Sequence, residues 1–259
     1  QPNAMGGREV RGLSNLLAAH KNLANPVHRK EVADFWGVDE IREKPGLTAT
    51  EMFESLKSGK MKAIWIICTN PSVSMPNARL VDEALKAAKF VIVQDISKKS
   101  DTAKYADLIL PAAGWLEKEG TMTNSERRIT HLSKVIDPPG EALPDTEILM
   151  RFAKAMGFHG FDFNSPAEVY AEYAQLTKGT PIDISGLSYE KIQAKTSIQW
   201  PVPSEDHDGT PRLFQEGKFL TPDHRANIHT SGPSNPHESI SPDFPLILTT
   251  GRIRDQWHT

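Results

Sequence analysis

Residues 63–120 read AIWIICTNPSVSMPNARLVDEALKAAKFVIVQDISKKSDTAKYADLILPAAGWLEKEG, and this stretch decides the fold. It holds three short apolar runs, 63–68, 90–93 and 108–110. Each is apolar along its whole length, without the period-2 alternation of a sheet that has one wet face. That pattern predicts strands buried on both faces, in a parallel sheet covered by helices. Between the first two runs, Leu80, Val81, Ala84, Leu85 and Ala88 share one face at helical spacing. Asn77 suits the N-cap of that helix. A shorter helix is predicted over 101–106, capped by Ser100. The order is β-α-β-α-β, with right-handed crossovers expected.

In an open parallel sheet, ligands sit beyond the carboxyl ends of the strands. Here those ends lead into 69–72 (TNPS), 94–97 (QDIS) and 111–120 (PAAGWLEKEG), all rich in small polar donors and acceptors. The loops are expected to open on one edge and to take a nucleotide-like ligand. The glycine fingerprint GxGxxG is absent after any of the runs, which disfavours an ordinary dinucleotide site of the Rossmann type.

The bulk numbers bound the rest. At 259 residues the chain suits one large domain or two. A net charge of −3 argues against non-specific nucleic-acid binding, which needs a basic face. No apolar run approaches the length of a membrane span. A single cysteine, Cys68, rules out an internal disulfide and a cysteine-built metal or iron–sulfur site within the chain. At the end of a buried strand it reads as an inert core thiol. Gln1 without a methionine and the stop at Thr259 suggest a piece of a longer polypeptide.

Outside the central stretch, Gly6-Gly7 either lets the backbone pass close to another group or forms a turn before a helix, with Arg8 and Glu9 solvated. Leu13, Leu16, Leu17 and His20 form a short amphipathic segment. Residues 25–46 read as a loop, with Phe35 and Trp36 as core anchors. Thr48 and Glu51 form a capping box that opens a helix with Met52, Phe53 and Leu56 inward. Asp145 reads as the N-cap of a helix with Leu149, Phe152, Ala153 and Met156 inward. Ser165 and Glu168 form a second capping box, ahead of Val169, Tyr170, Tyr173 and Leu176. From 177 to 245 prolines and glycines crowd in, and the segment reads as a long surface connector. Its histidines, His207, His224, His229 and His237, are irregularly spaced and read as exposed or structural. A strand is expected over 244–249, then a polar turn. Lys118, Asn124, Arg127 and Arg128 are candidates for anionic groups, each with solvated surface charge as the alternative.

Several blocks, in order along the chain, carry a resemblance: QPNAMGGREV, WIICTNPSVSMPN, VIVQDI, YADLILPAAGWLEKEGTMTNSERR, PGEALPDTEILMRFAKAMG, TPRLFQEGKFLTPDHRANI and TTGRIRDQWHT. Together they resemble the catalytic subunit of molybdopterin oxidoreductases, in the bacterial assimilatory nitrate reductase branch. The resemblance implies a full enzyme that reduces nitrate to nitrite at molybdenum held by two molybdopterin guanine dinucleotides. It implies a [4Fe-4S] cluster and a molybdenum ligand upstream, neither of which Cys68 matches. It further implies a partner that donates electrons, namely ferredoxin, flavodoxin or an NADH-dependent reductase subunit. A cytoplasmic location follows, with the periplasm as the alternative. Formate dehydrogenase of the same superfamily and a non-catalytic nucleotide-binding module are the competing readings.

By motif position, the resemblance assigns cofactor contacts to Asn70, Gln94, Asp95, Lys118 and Asp145. It adds Thr249, Thr250, Gly251, Arg252 and His258 from the segment that opens a C-terminal barrel. No catalytic residue and no metal ligand is assigned within the chain. The implied organisation is a dinucleotide-binding α/β domain over 1–160, a helix and extended connector over 161–243, and the start of a β-barrel over 244–259. Arg11 stands where the family runs a second glycine pair. A bulky cation there is either a tolerated change on a helix start or an alteration of the cofactor-facing turn. The chemistry suits the assignments. Asp95 offers two acceptor oxygens to guanine N–H groups or ribose hydroxyls, and Lys118 offers a point charge to a phosphate or pterin oxygen. Thr249, Thr250 and Gly251 offer hydroxyl and backbone donors, and Arg252 can fork onto a pyrophosphate.

Overall fold

The structure, a computed structural model, describes residues 3–10, 16–221, 223–234 and 239–247. One unit covers 2–210 and a second is formed mainly by 211–259. The first begins with α1 (Ala4–Glu9) and α2 (Pro26–Trp36). Gly6 and Gly7 thus lie inside a helix, not in a turn before one. The expected loop over 25–46 is also corrected. Asn25 accepts the N–H of Val27, Pro26 takes the first helical position where no N–H is needed, and Gly37 at φ 64° ends α2. Phe35 and Trp36, expected as core anchors, are 40% and 48% exposed.

The capping box at Thr48 and Glu51 forms as read and opens α3 (Ala49–Lys57). Then come β1 (Ala63–Ile67), the single turn α4 (Pro71–Ser74), α5 (Ala78–Ala87), β2 (Phe90–Asp95) and β3 (Leu108–Pro111). Asn77 caps α5, its side chain accepting from the Leu80 N–H. The second crossover carries only a 3-10 turn, Ala103–Tyr105, with Ser100 Oγ accepting from the Ala103 N–H. The three strands pair in the order β1-β2-β3, and both pairings are parallel.

Packing explains the topology. Phe53 and Leu56 of α3 and Val81, Ala84 and Leu85 of α5 bury against Ile66, Val91 and Val93. Because strand side chains alternate, Trp65 and Gln94 face the other way. There they meet α6 (Asp145–Ala155), through the Trp65–Phe152 ring contact at 4.8 Å and the Gln94–Asp145 hydrogen bond. Only β2 is buried as a parallel strand should be. Leu108 and Ile109 on β3 are 42% and 36% exposed, so burial on both faces does not hold for the edge strand. On α6 Ile148 and Ala153 are buried and Phe152, 40% exposed, packs on Trp65, while Leu149 and the C-cap residue Met156 stay open.

A 3-10 turn, Trp115–Glu117, leads into a second sheet of β4 (Gly120–Thr123), β5 (Arg128–Leu132) and β6 (Ser197–Gln199), all antiparallel. Helices α7 (Pro166–Leu176) and α8 (Tyr189–Lys195) lie between β5 and β6 in sequence. Ile182, Ile184, Ile192, Ile198 and Val202 are buried, so 177–210 is packed into the unit rather than lying as a surface connector. In the second unit, Phe214 and Phe219 stack at 5.0 Å. Residues 244–247 form no strand, and the remainder of that expected strand lies outside the described residues.

Candidate functional site

The carboxyl end of β1 delivers Cys68, that of β2 delivers Gln94 and Asp95, and the loop after β3 delivers Lys118. Cys68, Asp95 and Lys118 line one cavity of about 550 Å³ with Gly114, Thr121 and Asn3. That volume falls within the ~300–1,000 Å³ of small-molecule sites. Three loops distant in sequence therefore open together, as the strand order demands.

Beneath the cavity one carboxylate collects three donors. Lys118 Nζ bonds Asp145 Oδ2, Gln94 Nε2 donates to Asp145 Oδ1 at 2.7 Å, and the Cys68 thiol donates to Oδ1 at 3.5 Å. Asp145 is not the helix N-cap expected from sequence. Pro144 takes that place, and the Asp145 side chain caps nothing. Burial pushes the Asp145 carboxyl up, but the Lys118 and Gln94 bonds outweigh it and hold it below the usual range. The position also suits a carboxylate in the first turn of a helix. The Cys68 thiol is pushed up to about 11, by partial burial first and then by the Asp145 charge. It is protonated at neutral pH, as an inert thiol should be, yet the residue is exposed and not part of the core. Sequence reading missed it as a wall of the site. Its φ of 54°, at the point where β1 turns out of the sheet, is a backbone feature without a sequence signal.

Asn70 lies at the same edge, and its side chain bridges two loops. Its Oδ1 accepts the N–H and Oγ1 of Thr102, and its Nδ2 donates to Asp101. It pins the loop after β1 to the loop after β2. Asp95 Oδ1 accepts the Ser97 N–H at 3.0 Å, which leaves Oδ2 for the cavity. Thr249, Thr250, Gly251, Arg252 and His258, and with them Arg11, lie outside the described residues.

The arginines after β4 are not part of this site. Arg127 donates to the carbonyls of Trp200 and Thr210, and Arg128 to Ser197 Oγ and Gln199 Oε1. Asn124 Oδ1 accepts the N–H groups of Glu126 and Arg128 and closes the β4–β5 turn. Glu9, expected to be solvated, is 4% exposed and receives the Trp200 indole N–H, whereas Arg8 is exposed as read.

The donor set fits a polar, oxygen-rich ligand with N–H groups of its own. Lys118 keeps N–H donors beyond the one given to Asp145, and Asp95 keeps an acceptor oxygen. Gln94 Oε1, fully buried, has no hydrogen-bond partner among the described residues.

The chain is 45% identical over its whole length to a nitrate reductase of Synechocystis, covering 37% of that protein. It is 39% identical to the assimilatory nitrate reductase catalytic subunit of Bacillus subtilis and 36% identical to the F420-dependent formate dehydrogenase subunit alpha of Methanocaldococcus jannaschii. In each case it is matched over its whole length and covers 37% of the relative. The chain thus spans little more than a third of these relatives. The family model for molybdopterin oxidoreductase matches residues 3–155, the stretch that carries the parallel sheet and every described residue of the candidate site. The chain belongs to the molybdopterin oxidoreductase family.

Proposed function

We propose that this chain is the part of a molybdenum nitrate reductase that grips a molybdopterin guanine dinucleotide at the carboxyl edge of its parallel sheet. The observation that carries the reading is the cavity shared by Cys68, Asp95 and Lys118, with the Gln94–Asp145–Lys118 network beneath it. When bound, the molybdenum–pterin group supplies the oxygen-atom transfer that converts nitrate to nitrite. Residues of this chain bind and orient it. Asp95 accepts from guanine N–H groups or ribose hydroxyls. Lys118, steadied by Asp145, donates to a phosphate or pterin oxygen. Gln94, locked through its Nε2, stiffens the floor. Asn70 keeps the first two loops in register.

In this reading 244–259 opens a further dinucleotide-binding barrel, where Thr249, Thr250, Gly251, Arg252 and His258 meet the second dinucleotide. A [4Fe-4S] cluster held outside this stretch would relay electrons to the molybdenum–pterin group, with ferredoxin, flavodoxin or an NADH-dependent reductase subunit as the donor. The enzyme works in the cytoplasm, with the periplasm as the alternative. Among the described residues no helix is long and apolar enough to cross a membrane.

The test uses the full-length, cofactor-loaded enzyme. Reduced viologen is oxidised when nitrate is added, and Asp95→Ala lowers the cofactor content per protein while the fold persists. Formate turnover without nitrate turnover would reject the nitrate reading in favour of the formate dehydrogenase relatives. Unchanged cofactor content in Asp95→Ala would remove that residue from the site.

A further inference from the structure

The first helix controls one wall of the cavity. Asn3, which precedes α1, lines it. Asn3 Oδ1 accepts the backbone N–H of Thr123 at 3.0 Å, where β4 ends. With that oxygen engaged, the Nδ2 amine is left to present N–H donors. Gly6 makes the arrangement possible, since a Cβ at that position would collide with Asn3 Oδ1.

Glu9 anchors the other end of α1. Its carboxylate receives the Trp200 indole N–H and a side-chain hydrogen bond from Thr123. Thr123 therefore holds both ends of the helix, Asn3 by its amide and Glu9 by its side chain. Trp200 is fixed in turn. Its backbone N–H donates to the Arg127 carbonyl at 3.1 Å, and the Arg127 guanidinium lies over its ring at 5.2 Å. A helix as short as α1 has little stability of its own, so tertiary anchors decide where it sits. A buried carboxylate held by neutral donors is a costly anchor, and it serves here to fix a position.

We propose that Glu9 is a positioning residue: its bonds to Trp200 and Thr123 hold α1 so that Asn3 presents Nδ2 to an oxygen of the bound pterin dinucleotide. The inference rests on the cofactor reading above and extends that site to the N-terminal helix.

The experiment measures cofactor release from the full-length enzyme after dilution, with the thermal midpoint as a second readout. Asn3→Ala and Gly6→Ala are each expected to release cofactor about five- to tenfold faster, the effect of one lost hydrogen bond. Glu9→Leu should do the same, and Glu9→Gln, which keeps an acceptor for the indole, should restore retention to within about twofold. The double variant Glu9→Leu/Asn3→Ala should release no faster than the faster single variant, because both act through one contact. Additive effects in the double variant, or a neutral Asn3→Ala, would overturn the proposal. If Glu9→Leu does not fold, Gly6→Ala decides, since alanine favours the helix while displacing Asn3. Asp95→Ala is run alongside. If it releases cofactor while the Asn3 and Gly6 variants retain it, this inference falls and the cofactor reading survives; if all three retain it, both fall.

Discussion

Two regions present cations from polar loops, and they use them differently. At the edge of the parallel sheet, Lys118 and Asp145 keep 29% and 25% of their side-chain surface open beside a cavity. At the β4–β5 turn, Arg127 and Arg128 are spent on carbonyls and side chains from 197–210, closing the second sheet onto its own chain. In the sequence the two look alike. What separates them is the source of their partners. A guanidinium met by carbonyl oxygens from a neighbouring segment has its N–H groups occupied by the fold. An ammonium held by one carboxylate at a strand end still has N–H groups to give. Charge in a loop becomes a ligand signal only after the fold's own claims on it are counted.

The comparison can be tested in order of expected effect. Leu56 in the first region and Ile192 in the second are both fully buried. Leu56→Ala and Ile192→Ala should each cost about 2–5 kcal/mol in urea unfolding. A single shared transition in both variants would show that the two sheets fold together, and separate transitions would show that they do not. Next, Asp145→Ala leaves the Lys118 ammonium and the Gln94 amide without their shared acceptor. A loss of about 2–3 kcal/mol is expected, discounted from fully buried pairs because both partners are partly open. A loss below about 0.5 kcal/mol would mean that the network does not hold the edge together. Arg128→Ala should cost only about 0.5–1 kcal/mol and leave cofactor retention unchanged. Cofactor loss in that variant would erase the contrast between the two regions.

The smallest effect is a change of slope with pH. The Asp145 carboxyl sits below its ordinary value of 3.8, so its contribution is whole above that pH and is lost as pH falls through the lower folded value. Glu9 moves the other way, raised by burial above 4.5 despite the Trp200 and Thr123 bonds. A raised carboxyl favours the folded state while protonated, and that advantage is lost as pH rises through the folded value. Glu9→Gln should therefore flatten the decline in stability from pH 4.5 towards neutrality and leave the acid limb below pH 3.8 as it was. An unchanged slope across the upper range would mean that Glu9 is not titrating in a buried setting.

The parallel sheet was legible because its signals are local. Continuous apolar runs, the Asn77 cap and the Thr48–Glu51 box each act over a few residues, and each forms as read. The common rim followed from strand order alone. What escaped depends on contacts across long stretches of chain. Asp145 has the composition of a cap, and only the fold brings it to Gln94 and Lys118. Leu149 and Met156 stay exposed despite their helical spacing. Glu9 reads as a surface charge until Trp200 arrives from 191 residues away. The helix after Asn25 was the exception. Its cap, its Pro26 and its Gly37 stop were all local, and the polar texture of 25–46 obscured them.

Amide hydrogen exchange of the full-length enzyme, with its cofactor and stripped of it, tests the central claim most directly. The account predicts that the cofactor slows exchange in 68–72, 94–97 and 113–122, while the β4–β5 turn at 124–128 is indifferent. Equal exchange in those three loops, with protection confined to other parts of the chain, would contradict it.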